Sequence, residues 1–209
     1  MSGQTDTPPP AADLYGLLAE VLSFPGPDLA LAVQRGDIRG AIEHILGHLP
    51  LAEAIAPLDA LGPMDVEPQD LESEYIRLFD VPDGPPTPLY TGVYAPRRRD
   101  AMEELLRTYR HFGLTVERSA HDLPDFVPTV LEFLRILTFG QHAGKPAARP
   151  AFESAKADVL DRHLRPWAEQ TATRLAQRSG HPFYQTIVGV VNDLATAELA
   201  ALGRVAAAR

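Results

Sequence analysis

The stretch FVPTVLEFLRILTF, residues 126 to 139, constrains the fold more than any other part of the chain. On a helix it is apolar almost all round, with Glu132 and Arg135 as its only charges, so neighbours must cover it from every side. The remaining chain offers helices to do so. Leu14, Leu17, Leu18, Val21 and Leu22 recur at the spacing of one helix face, as do Met102, Leu105, Leu106, Tyr109 and Phe112. Ile187, Val190, Leu194 and Ala197 do the same near the end. No segment alternates with period two. The expected fold class is therefore all-α, a single-domain multi-helix bundle of about nine or ten helices. It should span residues 11–209 behind a disordered polar tail, residues 1–10, that ends in three prolines. Start signals and Gly or Pro punctuation predict further helices over 28–35, 37–49, 51–60 and 69–79. A flexible segment over 142–150 should precede a helix to about Leu164; Pro166 then suits the first turn of another, and the last should start near Phe183.

One stretch resists this pattern. FDVPDGPPTPLYTGVY, residues 79 to 94, contains four prolines and three large aromatic rings, those of Phe79, Tyr90 and Tyr94. The prolines leave few backbone donors for helix or sheet, yet a mere spacer would not carry such apolar surface. Two readings stay open for Tyr90 and Tyr94: rings facing a ligand on a stiff wall, or plugs that fasten the loop to the body. Leu78 and Phe79 fit a helix stripe and suit the core.

Catalytic signatures are missing. There is no cysteine, hence no disulfide framework, thiolate metal site or cysteine nucleophile. No GxxxxGK[ST], GxGxxG or GxSxG occurs. His44 and His48 stand one helical turn apart but lack the HExxH order and a third ligand, so a metal hydrolase is a weak alternative and no metal or other cofactor is expected. The net charge of −9 argues against nucleic acid and anionic membrane as partners and suits a basic peptide. No run reaches the roughly 20 apolar residues of a membrane span, and the start MSGQTDTPPPAAD has neither a basic nor an apolar segment. A cytoplasmic protein without stable membrane insertion is expected.

Four stretches in order resemble the TorD/DmsD/NarJ family of molybdoenzyme maturation chaperones: EYIRLF with GPPTPLYTGVY (74–79 and 84–94), DLPDFVPTVLEFL (122–134), HLRPWA (163–168) and HPFY (181–184). The resemblance covers roughly residue 69 to the end. Many relatives have His after the aspartate of the second motif, where this chain has Phe126, so no imidazole role carries over. The second motif looks closer to the nitrate-reductase branch and the last two to the DmsD branch, which leaves the client open.

The resemblance implies a TorD-like helical chaperone with no catalytic activity. It would bind the N-terminal leader, often of twin-arginine type, of the apo catalytic subunit of a molybdenum-containing oxidoreductase until the cofactor is inserted. The alternative is a permanent structural subunit of such an enzyme; monomer and homodimer both fit. A leader with two arginines before an apolar stretch calls for carboxylates beside an apolar groove. The expected peptide-binding residues are Phe79, Asp80, Pro88, Tyr90, Tyr94, Asp122, Asp125, Phe126 and Glu132, with Leu78 and Asp83 nearby. Pro128 cannot sit deep in a helix, so the central helix should begin near Asp125, with that carboxylate at or close to the N-cap. Glu132 is expected to pair with a buried arginine, and Trp167 to pack.

Overall fold

Proline starts most of the helices of this protein. The structure, a computed structural model, describes residues 8–82, 84–115, 123–177 and 182–207, the last four by backbone alone. Its helices are α1 (Pro10–Val21), α2 (Pro27–Arg35), α3 (Asp37–Leu46), α4 (Pro68–Phe79), α5 (Arg98–His111), α6 (Val127–Ala143), α7 (Arg149–Val159), α8 (Arg165–Ala176) and α9 (Pro182–Ala207). All but α3 and α5 have a proline at their first or second residue, where the missing N–H is not needed and φ is already helical. The all-α expectation holds: among the described residues the only β pairing is one isolated bridge, Tyr90 with Phe126.

Several boundaries differ from the expectation: the helix expected over 37–49 ends at Leu46, and the segment 142–150 takes in the end of α6 and the start of α7. Pro10, placed in the tail by sequence, opens α1. The helix expected over 51–60 does not form; two single 3₁₀ turns, Ala52–Ala54 and Asp59–Leu61, take its place. Pro57 stands between them and cannot donate to a continuing ladder, while the Ala56 N–H leaves the segment to meet Asp193 Oδ2 at 3.0 Å. Finally, α7 and α8 follow one another without a break through a π turn, Leu160–Leu164. The widened turn lies just before Pro166, whose ring would otherwise press on the carbonyl four residues back.

The central helix is α6, packed most extensively on α1 and α7, while α8 packs along α9. Val127, Val130, Leu131, Phe133, Leu134 and Leu137 of α6 are buried. Its cover is not complete, for Ile136 and Phe139 remain exposed beside Glu132 and Arg135. The core joins Leu14 and Leu18 of α1 to Trp167 of α8 and Ile187 and Val191 of α9. Phe79 and Tyr184 meet edge to face at 5.3 Å, and Tyr75 joins both rings.

A buried polar triad also holds the bundle. Glu198 Oε2 accepts a hydrogen bond from Tyr15 Oη at 2.6 Å and pairs with Lys156 Nζ at 2.6 Å, tying α1, α7 and α9. Burial and the Glu198 carboxylate push the Tyr15 hydroxyl well above its ordinary pKa, so it stays a donor. By length and composition α9 could cross a membrane over Pro182–Gly203, but Phe183, Tyr184, Ile187, Val188, Val191 and Leu194 all lie in this core.

Candidate functional site

The proline loop is fastened down along its length. Thr87 caps the end of α4, its N–H and Oγ1 both donating to the Leu78 carbonyl at 3.2 and 2.8 Å. Trp167 Nε1 donates to the Pro88 carbonyl at 3.0 Å, and Arg174 reaches the Pro86 carbonyl at 3.3 Å. Val127 N–H bonds to the Leu89 carbonyl and Thr91 N–H to the Asp125 carbonyl, at 2.9 and 2.8 Å. Tyr94, at the end of a 3₁₀ turn over Thr91–Tyr94, accepts from Thr171 at 3.1 Å and lies under the Arg174 guanidinium at 4.9 Å. Tyr90 packs on Phe126 with centroids 5.4 Å apart and lies under Arg98 at 5.2 Å. Of the two readings left open, the geometry supports plugs. Phe79 is core, Pro88 is half-buried under Trp167, and Asp80 is exposed just past α4. Asp83, Asp122 and His181 lie outside the described residues.

Asp125 is not a helix cap. The N-cap of α6 is Phe126, with no side-chain bond, and Asp125 is fully buried with its Oδ2 3.2 Å from Arg98 Nε. Gly92 makes room for it: a Cβ there would stand 2.7 Å from Asp125 Oδ2. Burial raises the Asp125 pKa despite the opposing Arg98 charge and the backbone N–H groups at Asp125 and Gly92. This carboxylate therefore clasps the loop, α5 and α6 together, and its second oxygen has no partner among the described residues.

The open concavity lies elsewhere, between α1 and the first half of α6. This groove of about 580 Å³ is lined by Leu17, Ala19, Phe126 and Pro128 and by three carboxylates, Asp13, Glu20 and Glu132, with Ser23 and Thr129 adding hydroxyls. Arg135 is its single lining cation among the described residues and pairs with Glu132 at 3.4 Å. The arginine expected to be buried beside Glu132 is thus half-exposed. Ile136 and Phe139 extend an exposed apolar strip along α6 beyond the groove. Phe126 and Glu132 are the two expected site residues that line it, and no described residue of 79–94 does; the loop reaches it through the Tyr90–Phe126 contact.

The residues of α1 were missed by sequence reasoning. Asp13, Leu17 and Glu20 stand at i, i+4 and i+7, one helix face, and that periodicity was the available signal. In the histidine pair, His48 Nδ1 bonds to the His44 carbonyl at 2.8 Å, and no group of three potential metal ligands occurs among the described residues.

Comparison with known proteins adds the ancestry. A family model described as nitrate reductase delta subunit matches residues 48–173. The chain is 32% identical over 180 residues to the chlorate reductase assembly chaperone of Ideonella dechloratans, covering 84% of this chain and 81% of the relative. It is 31% identical over 195 residues to the selenate reductase assembly chaperone of Thauera selenatis, covering 90% and 89%. The perchlorate reductase assembly chaperone of Dechloromonas aromatica is 27% identical over 197 residues. An Archaeoglobus fulgidus crystal structure described as a redox enzyme maturation protein matches 97% of this chain with TM-score 0.50 and 20% identity, a likeness of fold.

Proposed function

This chain belongs to the nitrate reductase delta subunit family of redox enzyme maturation proteins, and from that premise we propose that it binds the N-terminal leader of a molybdenum-containing reductase's catalytic subunit. The protein is an assembly chaperone by kinship, not a catalyst. The leader would lie in the α1/α6 groove while the client acquires its cofactor, before assembly and export. The α1/α6 groove is the observation that carries this reading. A guanidinium pairs strongly with carboxylate, and Asp13, Glu20 and Glu132 offer three beside Leu17, Phe126 and Pro128. The apolar part of a leader would continue over Ile136 and Phe139. The proline loop then serves as a brace that sets Phe126 at the groove's end, not as the contact surface. Cytoplasmic residence follows from the same reading, since the client folds before export.

Calorimetry with a synthetic leader peptide tests this. A dissociation constant near micromolar, about −8 kcal/mol, is expected, because a chaperone must release its client. Apolar burial should give a negative heat-capacity change, and replacing both arginines by alanine should abolish most of the affinity. Equal binding of the arginine-free peptide would remove the acidic groove from the account. Co-purification separates chaperone from permanent subunit: the protein should accompany the immature catalytic subunit and be absent from the mature enzyme.

A further inference from the structure

Charge is unevenly shared along α6 and the turn that follows it. The carboxylates of the groove, Asp13, Glu20 and Glu132, gather beside its first half. Glu132, Ile136, Phe139 and Ala143 stand at i, i+4, i+7 and i+11, one line along the helix surface, and Ile136 and Phe139 on that line are exposed. Between Glu132 and Glu153 the sequence has no carboxylate. It has instead His142 in the last turn of α6, Lys145 in the connection and Arg149 at the first residue of α7. All three are exposed, and none has an ion-pair partner among the described residues. The connection is held close to the apolar strip. A Cβ at Gly140 would stand 2.2 Å from the Phe152 ring and one at Gly144 3.4 Å from it, so the start of α7 folds back on the end of α6. Gly144 N–H donates to the Gly140 carbonyl at 2.9 Å and Ala148 N–H to the Lys145 carbonyl at 2.8 Å, which fixes the backbone that carries Lys145. From its start to its end, this face presents acid, then apolar surface, then base.

We propose that the connection between α6 and α7 reads the charge that follows the apolar stretch of a bound leader, Lys145 and Arg149 favouring a carboxylate there and disfavouring a cation. The proposal rests on the leader-binding reading above. With the peptide arginines at Asp13, Glu20 and Glu132 and the apolar stretch over Ile136 and Phe139, the next residues of the peptide arrive at this turn. The helix sets the distance: Glu132 to Ala143 is about 16 Å at a rise of 1.5 Å per residue. A peptide covers that span in about five residues if extended, or about eleven if helical. A carboxylate arriving there meets two exposed cations and displaces nothing, whereas a lysine or arginine meets charge of its own sign.

Fluorescent leader peptides test this, each with two arginines, an apolar stretch of five or eleven residues, and then Glu, Gln or Lys. Binding is measured at about 0.15 M salt, where screening over about 8 Å confines the readout to charges near the turn. At one spacing or both, the parent should bind the Glu peptide roughly two- to fivefold more tightly than the Gln peptide, and the Lys peptide more weakly still. The double variant Lys145→Glu, Arg149→Glu should reverse that order, which neither a loss of stability nor a general loss of affinity can do. If the three peptides bind the parent alike at both spacings, or the order survives the charge reversal, the turn does not meet the leader and the proposal is overturned. Replacing both peptide arginines by alanine keeps two failures apart. If that change weakens binding, the leader reading stands without the proposal; if it does not, the acidic groove fails and takes the proposal with it. Should the double variant fail to fold by circular dichroism, the order of the three peptides on the parent decides.

Discussion

The proline loop and the α1/α6 groove make opposite use of the same residue types. In the loop the large rings and the carbonyls of Pro86, Pro88 and Leu89 meet the body: Trp167 bonds to Pro88, Arg174 to Pro86, Val127 to Leu89, and Thr171 to Tyr94. In the groove Asp13 and Glu20 face open space, and the one ion pair among the described residues, Glu132 with Arg135, is loose. A carboxylate in the loop region, Asp125, is sealed behind Arg98; the carboxylates of the groove are available. Density of aromatic and proline residues thus marks a surface that has been spent on folding, whereas the groove proposed for binding is polar and inconspicuous. The difference can be broken by substitution, since loop changes should act on stability and groove changes on binding.

The largest effect is expected at Trp167, which is fully buried and holds the loop through Pro88. Trp167→Ala should cost about 3–5 kcal/mol in urea unfolding, from lost packing and an orphaned Pro88 carbonyl. A loss below 1 kcal/mol would mean the loop is not fastened there.

Gly92→Ala comes next. Its Cβ would stand 2.7 Å from the buried Asp125 carboxylate and 3.0 Å from Arg98 Cγ, so the clasp must shift. About 1–3 kcal/mol of destabilisation is expected by the same unfolding measurement, as for other overpacked sites. Leader affinity should fall only as far as Phe126 moves.

A smaller, pH-dependent effect belongs to Asp125. Burial raises its folded pKa above the ordinary 3.8, so between 3.8 and the raised value the folded state binds more protons than the unfolded chain. The contribution of this group to stability is therefore present at low pH and lost as pH rises through the folded pKa. Asp125→Asn cannot titrate. The parent should gain stability relative to this variant on going from pH 7 down toward pH 4; a gap that closes in that direction would contradict the assignment.

Smallest in stability are the groove carboxylates. Asp13→Asn and Glu20→Gln should each change unfolding free energy by no more than about 0.5 kcal/mol, because neither side chain has an ion-pair partner among the described residues. Either change costing more than 1 kcal/mol would place these groups with the structural carboxylates, beside Asp125.

Helix content was legible from periodicity, and so were the proline starts at Pro128 and Pro166, because both depend on local sequence alone. Pro57 announces a break inside 51–60 that the apolar spacing around it does not show. The polar triad of Tyr15, Lys156 and Glu198 was not legible: its first and last members are separated by 183 residues, and no local pattern distinguishes a buried lysine from a solvated one. The candidate groove was half legible for the same reason. Phe126 and Glu132 belong to one motif on α6, whereas Asp13 and Glu20 join them only when α1 is laid beside α6. Asp125 was misplaced because Asp before a proline-started helix is a common cap; the close approach of Gly92, 33 residues earlier, draws it inward instead.

The most direct test replaces all three groove carboxylates at once. The triple variant Asp13→Asn, Glu20→Gln, Glu132→Gln should melt close to the parent, and its affinity for a twin-arginine leader peptide, measured by calorimetry at low salt, should fall roughly tenfold or more. Its salt dependence should flatten as well, since fewer charges remain to be screened. If the triple variant binds the peptide as the parent does, with the same salt dependence, the leader does not lie between α1 and α6 and the central claim is wrong.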